Sequence, residues 1–482
     1  MTAAPTATRA STSRHLPVAH PTAVLVLVLA TYLMIIVDTS VVITGLPDIQ
    51  ADLALTATGL SWVQNAYTLA FGGLLLLGAR AGDLYGRRRV LIIGLVLFTA
   101  DSILVGAAPS AGVLIAARAV QGVGAAVLAP SMLALLTAAF PEGPERSRAI
   151  AAYGSVAGIG TAFGLVLGGL VADVWSWRAA FLINLPIGAL LIVLAVRYLP
   201  RDAGRTGRLD LPGAVTSTAA MTALVYGTVR SADTGWSDPA TIAAVTAGLG
   251  LLAVFLLVER RAAHPIMPLS LFTDRVRTGA YLARFCFIGA MITYFLFVSQ
   301  YLQDVQGWTA LQAGLAFLPM TIVNFLVATA VPRLTSTVGG ARMMVTGLVL
   351  GVAGMLALTT LHPGTNFWLG IAIPGVLIGA GQGLLFAPLT AAGIGGARAT
   401  DAGAASGVVN AFHQLGAALG LGVTVTLAAA AAGRSAAVDP GTRFTEQVTA
   451  ALTGSTVLLS IALLLVLTLV VRPRRQPTST AA

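Results

Sequence analysis

The feature that most constrains this chain is a recurrence: fourteen mostly apolar stretches of about twenty residues or more, separated by short polar segments. They lie near 22–45, 58–79, 89–109, 111–138, 148–172, 178–199, 211–230, 239–258, 278–302, 312–331, 342–361, 367–391, 401–430 and 452–471. Such a stretch crosses a bilayer as a helix, because in oil the backbone must bond to itself. Of the 482 residues 57% are hydrophobic and only 10% charged, where a soluble domain carries roughly a quarter of its residues as charges. One soluble core cannot bury that much apolar surface. The reading is an all-α integral membrane protein. The first stretch is too long, and too well followed by others, to be a cleaved signal peptide.

The charges say what the chain is not. All 28 cationic side chains of the Lys and Arg class are Arg. Without Lys there is no phosphate-cradling P-loop and no Schiff-base nucleophile, so energy must come from an ion gradient or another polypeptide. Cys286 is the sole Cys, which excludes internal disulfides and Cys-rich metal sites. The five His residues, at 15, 20, 264, 362 and 413, show no metal-binding spacing. No metal and no cofactor are expected. A net charge of +10 raises the question of nucleic acid, but the Arg residues are scattered between apolar spans, so their placement reads as topology.

With the N-terminus on the cytoplasmic side, 22 Arg fall inside, four outside (Arg178, Arg230, Arg434 and Arg443), and Arg118 and Arg284 lie within spans. Positive charge is retained inside, so both termini are expected in the cytoplasm, as an even span count also requires. The expected organisation is a disordered cytoplasmic tail 1–21, a six-helix bundle 22–200, a two-helix insert with its linkers 201–277, a second six-helix bundle 278–471 and a tail 472–482. GVGAAVLAPS in span four and GAGQGLLFAPLT in span twelve fall at the same ordinal place of each half. Such repeats occur in transporters that bind substrate between halves near the midplane.

Between spans two and three stands GARAGDLYGRRRV, with Gly82 and Gly86 permitting a tight turn and three Arg anchoring the inner side. This order resembles the signature loop of the major facilitator superfamily, carried here by Gly78, Asp83, Gly86 and Arg87. VDTSVVITGLP in span one, SWVQNAYTLA in span two, RAVQGVGAA in span four, WRAAFLINLPIG at span six and YLQDVQGWTALQAGLAFLP across spans nine and ten are similar to the fourteen-span drug:proton antiporters of that superfamily. The resemblance covers nearly the whole chain. It implies a six-two-six arrangement with the insert as an accessory pair outside the halves, a cytoplasmic latch at Gly78–Arg89, and alternating access. In span five the family's antiporter motif reads GTAFGLVLGG, keeping Gly160, Gly164, Gly168 and Gly169 but with Leu165 where Pro is usual. The Gly residues recur every four positions, so they share a helix face suited to close packing. Ile43 and Thr44 stand where the family commonly has Asn-Val.

Ionisable groups within spans are the sharpest clues, since a charge at the membrane centre costs at least about 2.5–3.5 kcal/mol. Asp38 lies seven residues before the outer end of span one and Arg118 seven after the outer start of span four. Both therefore sit roughly 10 Å deep, and the resemblance implies that both line the central cavity. Asp38 is expected to exchange protons under the influence of Arg118, because a neighbouring cation favours the ionised carboxylate and burial the neutral one; a static ion pair locking the helices is the structural alternative. Asp101 reads as a satisfied structural carboxylate. Arg284, about 9 Å into span nine, is placed to snorkel toward the inner surface.

Polar residues within spans are candidate substrate contacts: Gln64, Asn65, Tyr67, Gln121, Gln300, Asn324, Gln382, Asn410, His413 and Gln414. The last three fall at i, i+3 and i+4 and so share a face, and His413 stands where relatives more often carry Arg in N-x-x-R-Q. Span ten has no acidic residue, which points to neutral, zwitterionic or singly charged substrates. The expectation is a proton-coupled antiporter exporting an amphipathic drug or antibiotic, a monomer in the bacterial cytoplasmic membrane with lipid, protons and the drug as its partners. The alternatives are a proton-coupled uptake transporter for a small metabolite and a non-transporting membrane sensor. An enzyme is disfavoured, because no paired carboxylates, Ser/His/Asp order or metal cluster appears.

Overall fold

Helix is the one regular structure that satisfies its own hydrogen bonds strand by strand in oil, and the described chain is built of it. The computed structural model describes residues 20–55, 57–140, 144–200, 210–263, 265–398 and 401–471. The first group of helices comprises α1 (Pro21–Leu53), α2 (Ala57–Tyr85), α3 (Arg87–Gly106), α4 (Ala111–Ala139) and α5 (Pro144–Val174), then α6 (Trp177–Leu182) and α7 (Asn184–Tyr198). An insert follows, α8 (Leu211–Thr234) and α9 (Pro239–Arg261). The last group is α10 (Arg275–Gln300), α11 (Ala310–Ala316), α12 (Leu318–Val338), α13 (Gly340–Leu358), α14 (Ile373–Ile394), α15 (Ala402–Arg434) and α16 (Pro440–Leu465). Every one of the fourteen apolar stretches falls on one of these helices or on an abutting pair. Among the described residues, eleven helical segments are long and apolar enough to cross a membrane by length and composition. α2, α5 and α8 are outside that set; in α8 Thr216, Ser217, Thr218, Thr222 and Thr228 dilute the apolar residues. The tails, the linker 201–209 and His264 lie outside the described residues.

The helix starts are written locally. Asp210, Asp238, Asp274 and Asp439 cap α8, α9, α10 and α16, each accepting the backbone N–H three residues on at 2.7–3.0 Å. A Pro in the first helical turn follows in three of the four, where its missing N–H costs nothing. Hydrogen bonds from Arg230 (2.8 Å) and Thr241 push the Asp238 carboxyl down to about 2.

One apolar core joins α1–α5 and α7 around Leu91, Phe98 and Leu128. Another joins α10–α16 around Tyr294, Phe317 and Leu452. The two Gly-rich runs have matching jobs. In α4 a Cβ on Gly122 would meet the Tyr67 carbonyl of α2, and one on Gly124 would meet Phe98 of α3. In α14 a Cβ on Gly379 would meet the Met320 carbonyl of α12, and one on Gly381 the Gly347 carbonyl of α13. Each run thus lies between two neighbours at backbone contact, and each ends in a helix-interior proline, Pro130 or Pro388.

Two expectations need correcting. The signature segment is not a loop from Gly78 onward, because α2 runs unbroken to Tyr85. Gly82 is helical, and the turn is made by Gly86 alone, at φ +93°. Glycine inside a helix is tolerated when neighbours hold the helix, and Gly78 presses on the Ala126 carbonyl of α4. Nor is the insert wholly peripheral. α8 lies in the seam between α2 and α15, with Met221, Val225 and Val229 sharing a core with Leu69 and Ala418. Thr218 donates to the Gly73 carbonyl (2.9 Å) and Ser231 meets Thr426 (3.1 Å). α9 packs against α8.

Candidate functional site

Asp38 sits mid-helix in α1, 2% exposed, and three side-chain donors converge on it. Arg118 Nη1 donates to Oδ2 at 2.7 Å, while Gln121 Nε2 (2.8 Å) and Asn184 Nδ2 (2.7 Å) share Oδ1. Arg118 Nη1 also lies 2.6 Å from Gln121 Oε1, and Arg118 Nε reaches the Val63 carbonyl at 3.4 Å. Both amides also contact Ser102 Oγ, at 3.1 and 3.2 Å, and that hydroxyl donates back to the Phe98 carbonyl. The guanidinium lies over the Tyr67 ring, 4.4 Å from its centroid, with Phe181 at 5.8 Å.

The geometry follows from helix arithmetic. Arg118 and Gln121 are i, i+3 on α4 and face the same way. The shoulder formed by α6 and α7 brings Asn184 in from the other side. Three helices therefore meet through one carboxylate, with α3 joined through Ser102, and every direct partner of that carboxylate is a donor, as an ionised group requires. The pairing that equal depth permits is present. Contrary to expectation the pair does not face open space, since Asp38, Ser102, Arg118, Gln121 and Asn184 are all buried. Ser102 and Asn184 were not singled out in the sequence, although each is a polar residue inside an apolar span.

Asp101, beside Ser102, also departs from expectation. Both its carboxylate oxygens are buried without a hydrogen-bond partner. Arg284 does not snorkel: it is 4% exposed, its guanidinium stacks over Phe386 (4.3 Å) and its Nη1 donates to Thr390 Oγ1 (2.7 Å). α14 holds the guanidinium through Phe386 and Thr390, and the stacked rings of Tyr32 and Tyr153, from α1 and α5, lie near its charge.

The other polar candidates divide. Tyr67 joins the Asp38 group as the ring beneath Arg118. Gln64 and Asn65 lie nearby on α2, and the Gln64 Oε1 and both amide atoms of Asn65 are buried without partners. Asn324 and Gln382 line a small cavity between α5, α12 and α14, together with Gly154, Ser155 and Phe386. At about 40 Å³ it is small against the roughly 300–1,000 Å³ of a drug pocket, so its walls must part to admit a drug. A larger groove of about 330 Å³ between α13 and α16 holds hydroxyls but no ionisable group. Gln300 ends α10 and joins neither group. Asn410, His413 and Gln414 do not act as one face. Asn410 donates to its own helix at Ser406, His413 stands edge-on to Phe386, and Gln414 packs on Gly72 of α2. α15 is wedged between α2, α8, α10, α14 and α16, so residues one position apart already meet different neighbours.

The span-five glycines split likewise. Gly160, Gly164 and Gly168 press on Ile36, Ser40 and Val41 of α1, whereas Gly169 presses on the Ala310 carbonyl of α11. Gly314 of α11 returns the contact at the Leu165 carbonyl, and Asp173 accepts from the Leu311 N–H at 3.2 Å. α5 thus seals one end of the seam between the two groups of helices. At the turn, Arg87 donates to the Ala134 carbonyl of α4 (3.0 Å) and Arg88 to the Val196 carbonyl of α7. The Asp83 side chain lies outside the described residues.

A family model described as the Major Facilitator Superfamily matches residues 28–421. The chain is similar to a puromycin resistance protein of Streptomyces alboniger, 39% identical over 91% of this chain and 88% of that one. It is also similar to a cephamycin export protein of Amycolatopsis lactamdurans, 41% identical over 84% and 85%. A methylenomycin A resistance protein of Streptomyces coelicolor is 32% identical over 83% and 84%. Among solved structures, a nucleoside transporter covers 92% of this chain and 99% of its own, with a TM-score of 0.62 at 12% identity, a likeness of fold.

Proposed function

This chain belongs to the Major Facilitator Superfamily, a transporter and not an enzyme, and from that premise we propose that it is a proton-coupled antiporter exporting an amphipathic drug or antibiotic by alternating access. The observation that carries the proposal is the enclosed Asp38 carboxylate with donors on two other helices. Protonating Asp38 replaces an acceptor by an O–H, which must displace Arg118, Gln121 or Asn184 or find a lone pair of its own. Gain or loss of one proton therefore alters how α1 is held to α4 and α7. The names of the relatives, which speak of resistance and export, support the outward direction. The Arg distribution supports cytoplasmic termini, which puts the α5–α11 seal on the outer side and the Gly86 turn on the inner side. Both helix groups would then rock about the seam in the bacterial cell membrane, as a monomer without cofactor, with the proton gradient as energy source.

The test is Asp38→Asn, which keeps the size of the side chain but cannot ionise and puts an N–H donor where one acceptor oxygen stood. In inverted membrane vesicles with an acid lumen, the intact protein is expected to accumulate drug and the variant to lose nearly all uptake while remaining membrane-inserted. Undiminished proton-driven accumulation by the variant would sink the coupling role. Uptake favoured by an alkaline lumen would turn the direction around, to an importer.

A further inference from the structure

Arg118, Arg178 and Arg230 each sit on a carboxylate, at 2.7, 3.0 and 2.8 Å. Arg284 is different. Among the described residues it pairs with no carboxylate, although it is 4% exposed within a membrane-crossing helix. A guanidinium does not shed its proton, so its charge persists. Phe386 offers it a ring face and Thr390 one oxygen, both uncharged, and its Nε is buried without an acceptor. A planar fork with an unused N–H is the geometry that binds an oxyanion side-on.

The surroundings point the same way. Phe386, whose ring carries the guanidinium, is itself a wall of the cavity between α5, α12 and α14. One turn earlier on α14, Gln382 lines that cavity and its Oε1 has no partner. His413 stands edge-on to the same Phe386 ring, 6.3 Å between centroids, and its Nδ1 is buried without a partner. Asn324 completes the far wall from α12, and Gly154 and Ser155 supply the wall from the other group of helices. A ring and two amide side chains thus border a cavity between the two groups of helices, and the Arg284 guanidinium and the His413 imidazole lie against that ring.

We propose that Arg284 is the anion-recognition residue of the cargo site, so that this transporter takes amphipathic organic anions, an apolar body bearing a carboxylate or sulfonate. The proposal deepens the export reading above and rests on it. The acid group sits on Arg284 and the apolar body lies along Phe386 toward α12. Export of a monoanion against an entering proton moves positive charge inward twice, so the membrane potential adds to the pH gradient as a driving force.

The test is binding, which needs no gradient. Full-length protein in zwitterionic lipid nanodiscs is titrated with anilinonaphthalene sulfonate and with its uncharged parent phenylnaphthylamine, with empty discs subtracted. Arg284→Gln is expected to weaken the sulfonate about tenfold or more, the effect of one lost charge-assisted contact, and to leave the parent within about twofold. Arg284→Lys, which keeps the charge but not the fork, is expected to fall between. In the unaltered protein, benzoate is expected to displace the sulfonate where benzamide does not, a readout independent of how any variant folds. Equal competition by benzoate and benzamide, or a sulfonate preference that survives Arg284→Gln, would overturn the assignment. So would loss of that preference in anionic-lipid discs, which would give the site to a lipid phosphate. Sulfonate binding without any export would sink the transport reading and leave the anion site standing.

Discussion

Removing Arg118 and removing Asp38 are not equivalent operations. Arg118→Gln leaves a buried carboxylate facing amides alone, at about 3–5 kcal/mol. Asp38→Asn in the same background removes the stranded charge, so the double variant is expected to be more stable than Arg118→Gln by about 2 kcal/mol or more. Thermal unfolding of the purified variants checks this, and a double variant no more stable than the single one would mean that the two groups do not act as a pair. Equal depth permitted the pair, because helical rise converts sequence position into position across the bilayer, and the family resemblance implied that the two helices both line the cavity. Its amide and hydroxyl partners were not legible in this way. Asn184 reaches Asp38 from 146 residues away, and only packing brings them together. Asp101, whose carboxylate oxygens are buried without hydrogen-bond partners, and Arg284, held by Phe386 and Thr390, depart from expectation for the same reason, since how a buried charge is answered depends on helices that a single span does not reveal.

At the scale of the helix, glycine content decides how near two backbones can come. A Cβ at Gly78 would lie 2.2 Å from the Ala126 carbonyl, whereas one at Gly250 on α9 would meet nothing within 4 Å. Gly78→Ala is therefore expected to destabilise by about 1–3 kcal/mol through overpacking and to lower the yield of folded protein in the membrane. Gly250→Ala is expected to be neutral or to stabilise by up to about 1 kcal/mol, by helix propensity. Equal melting temperatures for the two would show that α2 and α4 have slack where none is drawn. The helix positions and their Asp caps could be read from local residues. The boundary at Gly82 could not, because a glycine that permits a turn is held helical by the neighbour it packs on.

Across the whole molecule, α5 and α11 meet at one end of the seam and α8 bridges it, so both contacts bear on the proposed rocking of the two groups of helices. A disulfide joining Asp173→Cys and Leu311→Cys, in a background with Cys286→Ala, spans a contact whose side-chain-to-backbone distance is 3.2 Å. Oxidation is expected to abolish vesicle uptake of drug, and reductant to restore it. Full activity in the cross-linked protein would mean that this seam need not open during transport. α8 touches both α2 and α15, so in the proposed rocking the insert lies on the seam that works.

What the chain determined by itself is its solvent and its local shape: long apolar runs must be helices in oil, arginine placement biases their direction, and aspartates before prolines start them. Those are properties of neighbouring residues and of the medium, and they need no knowledge of the fold. Only the tertiary structure decided which polar groups are answered and which are left over. Hydrogen bonds within a bilayer are satisfied between helices far apart in sequence, so among the described residues Asp38 has three donors and Arg284 no carboxylate for reasons that no window of sequence contains.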